Sequence, residues 1–290
     1  MGKFYKDRRY GKNMKIIERN LQSIGQSLFV SLPKEWTELL HLQKGSSVKI
    51  IISDEGKLLI QPEFVAREVI KESSIPADEH FERRFFREYF AGNTRITIVL
   101  AKGVEKRRVY LFLEKFMNVQ IIEDKGNKVV VACFKVEDLS IEECLRRMYF
   151  LSLGMWDDKT RGKNADVSQA RLAMNRFYFM LVLQVRRYIG EGKFVEENKI
   201  PLLRAMDMRM IAEKIERIGA ILRDVKINLN GQESVRDYYK ACFDAFIGSN
   251  YNKALGLYQL GEQLLSQFKS KNGDLERLVV YAREISTLTR

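Results

Sequence analysis

The chain is 290 residues long, which fits two or three domains, and 46% of its residues are hydrophobic, which excludes a disordered chain. Its 50 lysines and arginines exceed its 38 aspartates and glutamates, so the formal net charge is +12. This excess favours an anionic partner such as nucleic acid, but alone it is equally typical of a soluble protein with a mildly basic surface.

Cysteine usage and apolar runs indicate the compartment. Cys133, Cys144 and Cys242 are far apart and form no C-x-x-C motif, which suits a reducing environment. The longest apolar run, Phe177 to Leu183, is much shorter than the roughly 18 residues that span a bilayer. The first residues are charged where a signal peptide would be apolar. We therefore expect a cytoplasmic protein with no membrane insertion.

Residues 1–13 are predicted to form a basic arm. Residues 1–19 contain seven basic side chains and only two acidic ones. Tyr5 and Tyr10 alternate with the basic residues, a pattern that suits contact with the phosphates and sugars of nucleic acid. The alternative is a solvated tail.

The pattern of residues 14–62 predicts a small β-rich unit. Pro33 stands where a helix begins, because a proline at that position loses no helical hydrogen bond. In the short helix, Trp36, Leu39 and Leu40 are expected to point inward. Gly56 is expected to supply the positive φ of a hairpin turn. The predicted elements are the strands Lys15–Arg19 and Ser27–Leu32, the helix Lys34–Leu40, and the strands Val48–Ile52 and Leu58–Pro62.

Three blocks in this unit resemble the AbrB/SpoVT family of swapped-hairpin DNA-binding domains. They are the run from Ser27 to Trp36 (S-L-F-V-S-L-P-K-E-W), Leu42-x-Lys44-Gly45-x-x-Val48, and Gly56-x-Leu58-Leu59-Ile60-x-Pro62. The blocks occur in order at the right spacing and cover about a sixth of the chain. The resemblance implies a β-barrel made by two intertwined copies, with a basic face on double-stranded DNA. The sequence does not decide whether this homodimer assembles into larger oligomers.

Five basic residues near the start are predicted DNA contacts. Lys15 and Arg19 lie four apart on the predicted strand and so share one face. Lys12 extends this patch from the preceding loop, and Arg8 and Arg9 add contacts to the DNA backbone, which set affinity. Arg19 is the predicted base reader, because arginine can pair bidentately with guanine.

Lys34 is a sixth predicted contact. It stands at a helix N-terminus, where the helix dipole disfavours a cation. This placement makes sense if Lys34 serves a bound phosphate, which the same helix N-terminus attracts.

Residues 63–139 are predicted to contain a connector and a small α/β module. The connector covers residues 63–77, because Ser73-Ser74-Ile75-Pro76 is too polar and proline-bound to continue a helix. The module covers residues 78–139 and has a ferredoxin-like arrangement as one candidate. Its predicted elements are a helix from Glu79 to Phe90 capped by Asp78, a strand from Thr94 to Leu100, a helix from Val104 to Phe116, and strands from Val119 to Glu123 and Lys128 to Phe134.

Residues 140–290 are predicted to form an all-α bundle of five or six helices. Ser140 and Glu143 make a capping box at its start. A later helix places five apolar residues on one stripe at 4-3-4-3 spacing, and Asn230-Gly231 is expected to end it. The stripe consists of Ile211, Ile215, Ile218, Leu222 and Val225. The whole chain is therefore predicted to be an α+β multidomain protein.

The bundle resembles the PhoU family of phosphate-uptake regulators, in the archaeal form that carries an AbrB-like domain and an α/β segment before the bundle. Three blocks carry this resemblance: Ala212 to Gly219 (A-E-K-I-E-R-I-G), Leu145 to Tyr149 (L-R-R-M-Y) and Asn175 to Tyr178 (N-R-F-Y). The resemblance implies a link to phosphate uptake or homeostasis.

The metal sites of PhoU proteins are not carried over. Family members bind metal clusters through acidic residues four apart on a helix face. At one such pair of positions, Glu216 is present but the residue four positions later is Ala220. At the other pair, Arg171 and Asn175 stand in place of both acidic residues. Glu213 and Glu216 could still hold one ion, although solvated or salt-bridged carboxylates are the more frequent case. We therefore expect no family-type metal cluster.

No motif points to an enzyme or a cofactor. His41 and His80 lie in different segments, and no nucleophile motif, zinc spacing or dinucleotide fingerprint accompanies them. The sequence thus predicts a dimeric DNA-binding transcriptional regulator whose bundle senses a state or binds a protein partner. The alternatives are a phosphate-transport adaptor, whose bundle binds a transporter or kinase, and a chromatin-coating protein without sequence preference.

Overall fold

The computed structural model describes residues 4–5, 14–52, 56, 58–62, 70–136, 139–192, 194, 199–225, 229, 231–268 and 273–289. They belong to two compact units, Met1–Val69 and Ile70–Arg290. None of the described helices combines the length and apolarity needed to cross a bilayer.

The described residues of the first unit form short strands and one short helix. The strands pair in three separate antiparallel ladders: Phe4–Tyr5 with Met14–Lys15, Gln22–Ile24 with Ser27–Phe29, and Val48–Ile52 with Leu58–Pro62. Gly56 has φ +75°, as predicted for the turn before β6. The elements are β1 Phe4–Tyr5, β2 Met14–Lys15, β3 Gln22–Ile24, β4 Ser27–Phe29, α1 Lys34–Leu39, β5 Val48–Ile52 and β6 Leu58–Pro62.

Two predicted strands of this unit are shorter than expected. β2 ends at Lys15, so the predicted strand from Lys15 to Arg19 is wrong, and β4 ends at Phe29 before Pro33. The described strands form no closed sheet. The swapped-hairpin barrel therefore stays a prediction, which requires a second copy of the unit.

The second unit begins with a four-stranded sheet and two helices. Its elements are β7 Glu72–Ala77, α2 Phe81–Phe90, β8 Arg95–Leu100, α3 Lys106–Leu113, β9 Val119–Lys125 and β10 Lys128–Cys133. The strand order is β7-β8-β10-β9, with β7 parallel to β8 and β10 antiparallel to both of its neighbours. This β-α-β-α-β-β order is not the ferredoxin-like one, which is β-α-β-β-α-β.

Two sequence predictions in this region need correction. Part of the predicted connector, residues 72–77, is the edge strand β7, where Pro76 is tolerated because an edge strand leaves one row of N–H groups unpaired. The first helix begins at Phe81 instead of Glu79. Asp78 does not cap it; its carboxylate accepts bonds from the His80 amide (2.9 Å) and the Arg84 guanidinium (2.8 Å).

One face of the sheet carries the core of this module. Ile96, Ile98, Val129 and Val131 are fully buried there, beneath a cluster of aromatic rings from α2, α3 and the residues that follow α3. The rings are those of Phe81, Phe85, Phe86, Tyr89, Phe90, Phe112 and Phe116. The buried residues of α3 itself are Val109, Phe112 and Leu113.

In the described part of residues 140–290 there are six α-helices, in two groups of three. α4 (Ile141–Thr160), α5 (Asn164–Gly190) and α6 (Leu202–Asp224) pack together, as do α7 (Glu233–Ile247), α8 (Tyr251–Phe268) and α9 (Gly273–Thr287), and α6 also packs against α9. The capping box of Ser140 and Glu143 is confirmed, and so is the stripe from Ile211 to Val225, all five residues of which are buried. α6 ends at Asp224, earlier than the predicted Asn230-Gly231.

Two glycines of α8 have opposite surroundings. Gly261 is buried, and a Cβ added there would collide with the hydroxyl of Tyr238, a buried ring of α7 that donates a hydrogen bond to the Leu257 carbonyl (3.0 Å). Gly256 is exposed, and a Cβ added there would meet no atom within 4 Å. Only Gly261 is therefore required for close helix packing.

Candidate nucleic-acid interface

The six predicted DNA contacts are only partly placed by the structure. Arg8, Arg9 and Lys12 lie outside the described residues. Lys15 is the last residue of β2, and Arg19 follows that strand as an exposed residue. The prediction that Lys15 and Arg19 share one strand face is therefore wrong, because no strand continues beyond Lys15.

The side chain of Arg19 is available to a ligand. Its Nη1 donates a hydrogen bond of 3.2 Å to the carbonyl oxygen of the preceding residue, Glu18. A contact between adjacent exposed residues in solvent is weak and readily exchanged. The guanidinium fork therefore keeps donors for a phosphate or a guanine edge.

Lys34 is the first residue of α1, as predicted. Its side chain is 88% exposed, and its Nζ lies 3.6 Å from Oε1 of Glu38, one helical turn away. An exposed pair of this kind contributes little to stability. The ammonium group can thus leave Glu38 for a phosphate at small cost.

Lys44 and Lys49 are exposed cations of the same unit that the sequence analysis did not single out. Lys49 lies on β5 opposite Gln61 of β6, and Lys44 is in the turn before β5, next to Gly45, which has φ +91°. Alternation along β5 could have indicated Lys49, because it is the one charged residue in an otherwise apolar strand.

The first unit leaves its apolar side chains in solvent. None of the described side chains between residues 16 and 62 is buried. Leu39 is 76% exposed, so the prediction that it points inward is wrong for a single chain; Trp36 and Leu40 are partly buried. The exposed large apolar residues are Ile16, Leu21, Ile24, Leu28, Phe29, Val30, Leu39, Ile50, Ile52, Leu58 and Leu59.

The β5–β6 ladder carries apolar pairs on both faces, although Lys49 and Gln61 share the face of Ile51 and Leu59. Ile50 pairs with Ile60 and Ile52 with Leu58 on one face, while Ile51 pairs with Leu59 on the other. Both Ile50 and Ile52 are more than half exposed. An isolated two-stranded ribbon is marginally stable at best, and one with two apolar faces needs a cover on each.

A family model described as antidote-toxin recognition MazE, bacterial antitoxin, matches residues 21–63. Residues 21–63 are similar to MazE antitoxins. This MazE-like segment runs from the start of β3 past the end of β6, and it supports the AbrB-type domain predicted at this end of the chain. Domains of this type typically dimerise and bind DNA. Comparisons with curated proteins and with solved structures give no significant match.

Of the candidate contacts, Lys34, Lys44 and Lys49 lie inside the MazE-like segment, whereas Arg19 and Lys15 precede it. The match therefore covers β3 to β6 and the short helix α1, but not β1, β2 or the basic arm.

The acidic residues considered for metal binding are held by arginines. Arg171 of α5 is buried, and its Nη2 donates to Oε1 of Glu216 on α6. Glu213 accepts a bond from Arg209 (3.1 Å) and lies 3.8 Å from Arg217. In the described part of the chain, no group of three or more His, Cys, Asp or Glu is arranged to hold a metal ion. A cation at Glu216 would have to displace a buried guanidinium.

Proposed function

We propose that this protein is a transcriptional regulator that binds double-stranded DNA as a homodimer, through the basic face of an AbrB-like domain at residues 14–62. We also propose a link to phosphate uptake or homeostasis, which rests on the PhoU resemblance of the bundle. Under this proposal the chain is not an enzyme and acts in the cytoplasm.

The observation that carries the proposal is the uncovered apolar surface of the first unit. Fewer than about 60 residues of short strands bury too little surface to be stable alone. Eleven large apolar side chains stand exposed among the described residues of this unit, and contiguous exposed apolar surface marks an interaction site. A second copy of the same unit supplies the same apolar strands, so two copies can cover each other.

The basic residues then specify what the dimer binds. Two-fold symmetry duplicates Arg19, Lys34 and Lys49 on one assembly, together with the predicted contacts Lys15, Lys12, Arg9 and Arg8 of each arm. A dimer surface that carries these cations is complementary to the closely spaced phosphates of duplex DNA.

Duplex binding at several salt concentrations tests the proposal. The slope of log affinity against log salt should be about −0.9 per phosphate neutralised. The double variant Lys15→Ala, Arg19→Ala removes two cations per copy, so a dimer should lose about 3 to 4 units of slope. A matched double variant at exposed residues of the α4–α5 turn, Arg161→Ala with Lys163→Ala, should leave the slope unchanged.

Two outcomes would contradict this reading. Failure to bind any duplex at low salt would reject DNA binding, and equal slopes for the two double variants would reject the assigned face. If the bundle instead retains a transporter or kinase while the whole chain lacks DNA affinity, the adaptor alternative is favoured. Binding without sequence preference would favour the chromatin-coating alternative.

The description of the matching family supports a second candidate, neutralisation of a protein toxin. In that case deletion of this gene, with the neighbouring genes intact, would release the toxin and arrest growth. Normal growth of the deletion strain would reject the antitoxin function and leave the regulator proposal standing.

A further inference from the structure

A cavity of about 350 Å³ opens in the second unit, where the end of β10, the start of α4 and the last turns of α5 meet. Its size lies within the range of small-molecule sites, which are commonly found where two layers of a protein join. No part of the proposed DNA-binding surface lines it, because all of its lining residues belong to the second unit.

The walls of the cavity are held in place by hydrogen bonds. Nε2 of Gln184 donates to the carbonyl oxygens of Val136 (3.3 Å) and Leu139, which holds the backbone at these two residues against α5. The hydroxyl of Tyr188 donates to the Ile200 carbonyl (2.5 Å). These bonds hold Gln184 and Tyr188, two residues of the cavity wall, in place.

Arg187 is the unusual member of the lining. It is partly buried, yet its guanidinium makes no hydrogen bond or ion pair with any of the described residues. Burial raises the pKa of Cys133 in the neighbouring α/β module to about 12, and the positive charge of Arg187 opposes that rise. A partly buried guanidinium with no acidic partner among the described residues can give an anion a charge-assisted hydrogen bond.

The remaining lining gives the anion its surroundings. Lys135 and Glu191 also line the cavity, and each is already engaged in an interaction of its own. Val136, Leu139 and Ile141 supply apolar walls. A bare inorganic anion would leave most of this volume and all of these walls unused.

We propose that this cavity binds a small organic anion, whose phosphate or carboxylate group pairs with Arg187 while its apolar body lies against Val136, Leu139 and Ile141. The ligand would contact the α/β module and the helical bundle at once, which suits an effector. The inference stands apart from the DNA-binding proposal, because binding is measured on the full chain without DNA.

Calorimetric titration of the full-length protein with phenyl phosphate tests the site. Binding should be detectable at millimolar concentration or below. Arg187→Gln should weaken it by at least tenfold, because a charge-assisted bond is lost, and Arg187→Lys, which keeps the charge, should restore part of the affinity. Arg161→Gln removes an exposed arginine of the α4–α5 turn and should leave the affinity unchanged.

Inorganic phosphate tests the anionic group of the ligand alone, and benzyl alcohol tests its apolar body alone. Each should bind more weakly than phenyl phosphate. If inorganic phosphate binds as tightly, the organic body is rejected; if benzyl alcohol binds as tightly, the anion is rejected. No binding of phenyl phosphate, or equal affinity in Arg187→Gln, overturns the proposal. Should Arg187→Gln fail to fold, Val136→Phe provides a second test, because a larger side chain should fill the cavity and exclude phenyl phosphate.

Discussion

Ile52→Ser tests whether a second copy covers the β5–β6 ladder. Ile52 is 74% exposed in the single chain, so the same substitution on a true surface would change stability by no more than about 0.5 kcal/mol. If a partner covers the residue, the variant loses the burial of most of an isoleucine side chain, which is worth about 1–2 kcal/mol.

Symmetry doubles this loss, because each copy of a two-fold dimer contributes one Ile52. The expected cost is therefore about 2–4 kcal/mol per dimer, which raises the dimer dissociation constant by about 30- to 700-fold. Sedimentation equilibrium of the full-length protein at several concentrations measures that constant directly.

Leu203→Ser is the matched control. Leu203 lies on α6 in the second unit and is 57% exposed, so a similar apolar loss occurs far along the chain from the ladder. The dissociation constant should stay within about threefold of the wild-type value. Equal effects of the two substitutions, or no effect of Ile52→Ser, would refute the assignment of this ladder to the dimer interface.

Three further predictions concern the second unit. Gly261→Ala should lower the free energy of unfolding by about 1–3 kcal/mol, because the added Cβ displaces a buried tyrosine ring. Gly256→Ala lies in the same helix with open space around it and should raise the free energy of unfolding by up to about 1 kcal/mol. Chemical denaturation of the two variants and the wild type compares these values. Glu216→Leu removes one member of the buried ion pair and should lower the free energy of unfolding by about 3 kcal/mol, because it leaves the charge of Arg171 uncompensated. Combining Glu216→Leu with Arg171→Met should recover much of that loss. A double variant as unstable as the single one would contradict this. The hydrogen bond that the backbone N–H of Ser140 donates holds the pKa of Glu143 below its usual range. The charged carboxylate therefore adds to the free energy of unfolding above the ordinary glutamate pKa, and this contribution is lost as the pH falls through the lower pKa of the folded state. Urea midpoints at neutral and acidic pH should therefore show that wild type loses its advantage over Glu143→Gln on acidification; an unchanged difference would count against the capping role of the charge.

Helices were the most predictable part of this chain, because their signals are local. The capping box at Ser140 involves residues three apart, and the stripe from Ile211 to Val225 repeats every three or four residues. Both signals lie within one element, so no knowledge of distant contacts was needed to find them.

The missed strand β7 shows the opposite case. Its sequence, E-S-S-I-P-A, has the serines and proline of a linker, yet it pairs in parallel with β8, placing Pro76 next to Val99. That pairing joins segments separated by a helix, and a single segment of sequence carries no record of it. The ion pair between Arg171 and Glu216 was missed for the same reason: each residue was noted on its own helix, and only the packing of α5 on α6 joins them.

Predictions for the DNA contacts were limited by a different cause. The position of Arg19 was inferred from a strand that does not extend beyond Lys15. Short strands without a buried face have weakly specified ends, because no core fixes which residues must alternate. The absence of buried side chains among the described residues 16–62 thus explains the misplaced strand, and it is the same feature that supports the proposed dimer.

The two units differ in whether they can be stable alone, and this difference determines how DNA binding should respond to protein concentration. The second unit has two buried apolar cores of its own, one in the α/β module and one in the bundle. The described side chains of the first unit between residues 16 and 62 contribute to neither, so in the proposed dimer we expect the free energy of association to come mainly from that unit. Below the dissociation constant of the dimer, the dimer concentration rises with the square of the chain concentration. DNA occupancy should then rise steeply with the amount of protein, even if the two DNA half-sites do not interact.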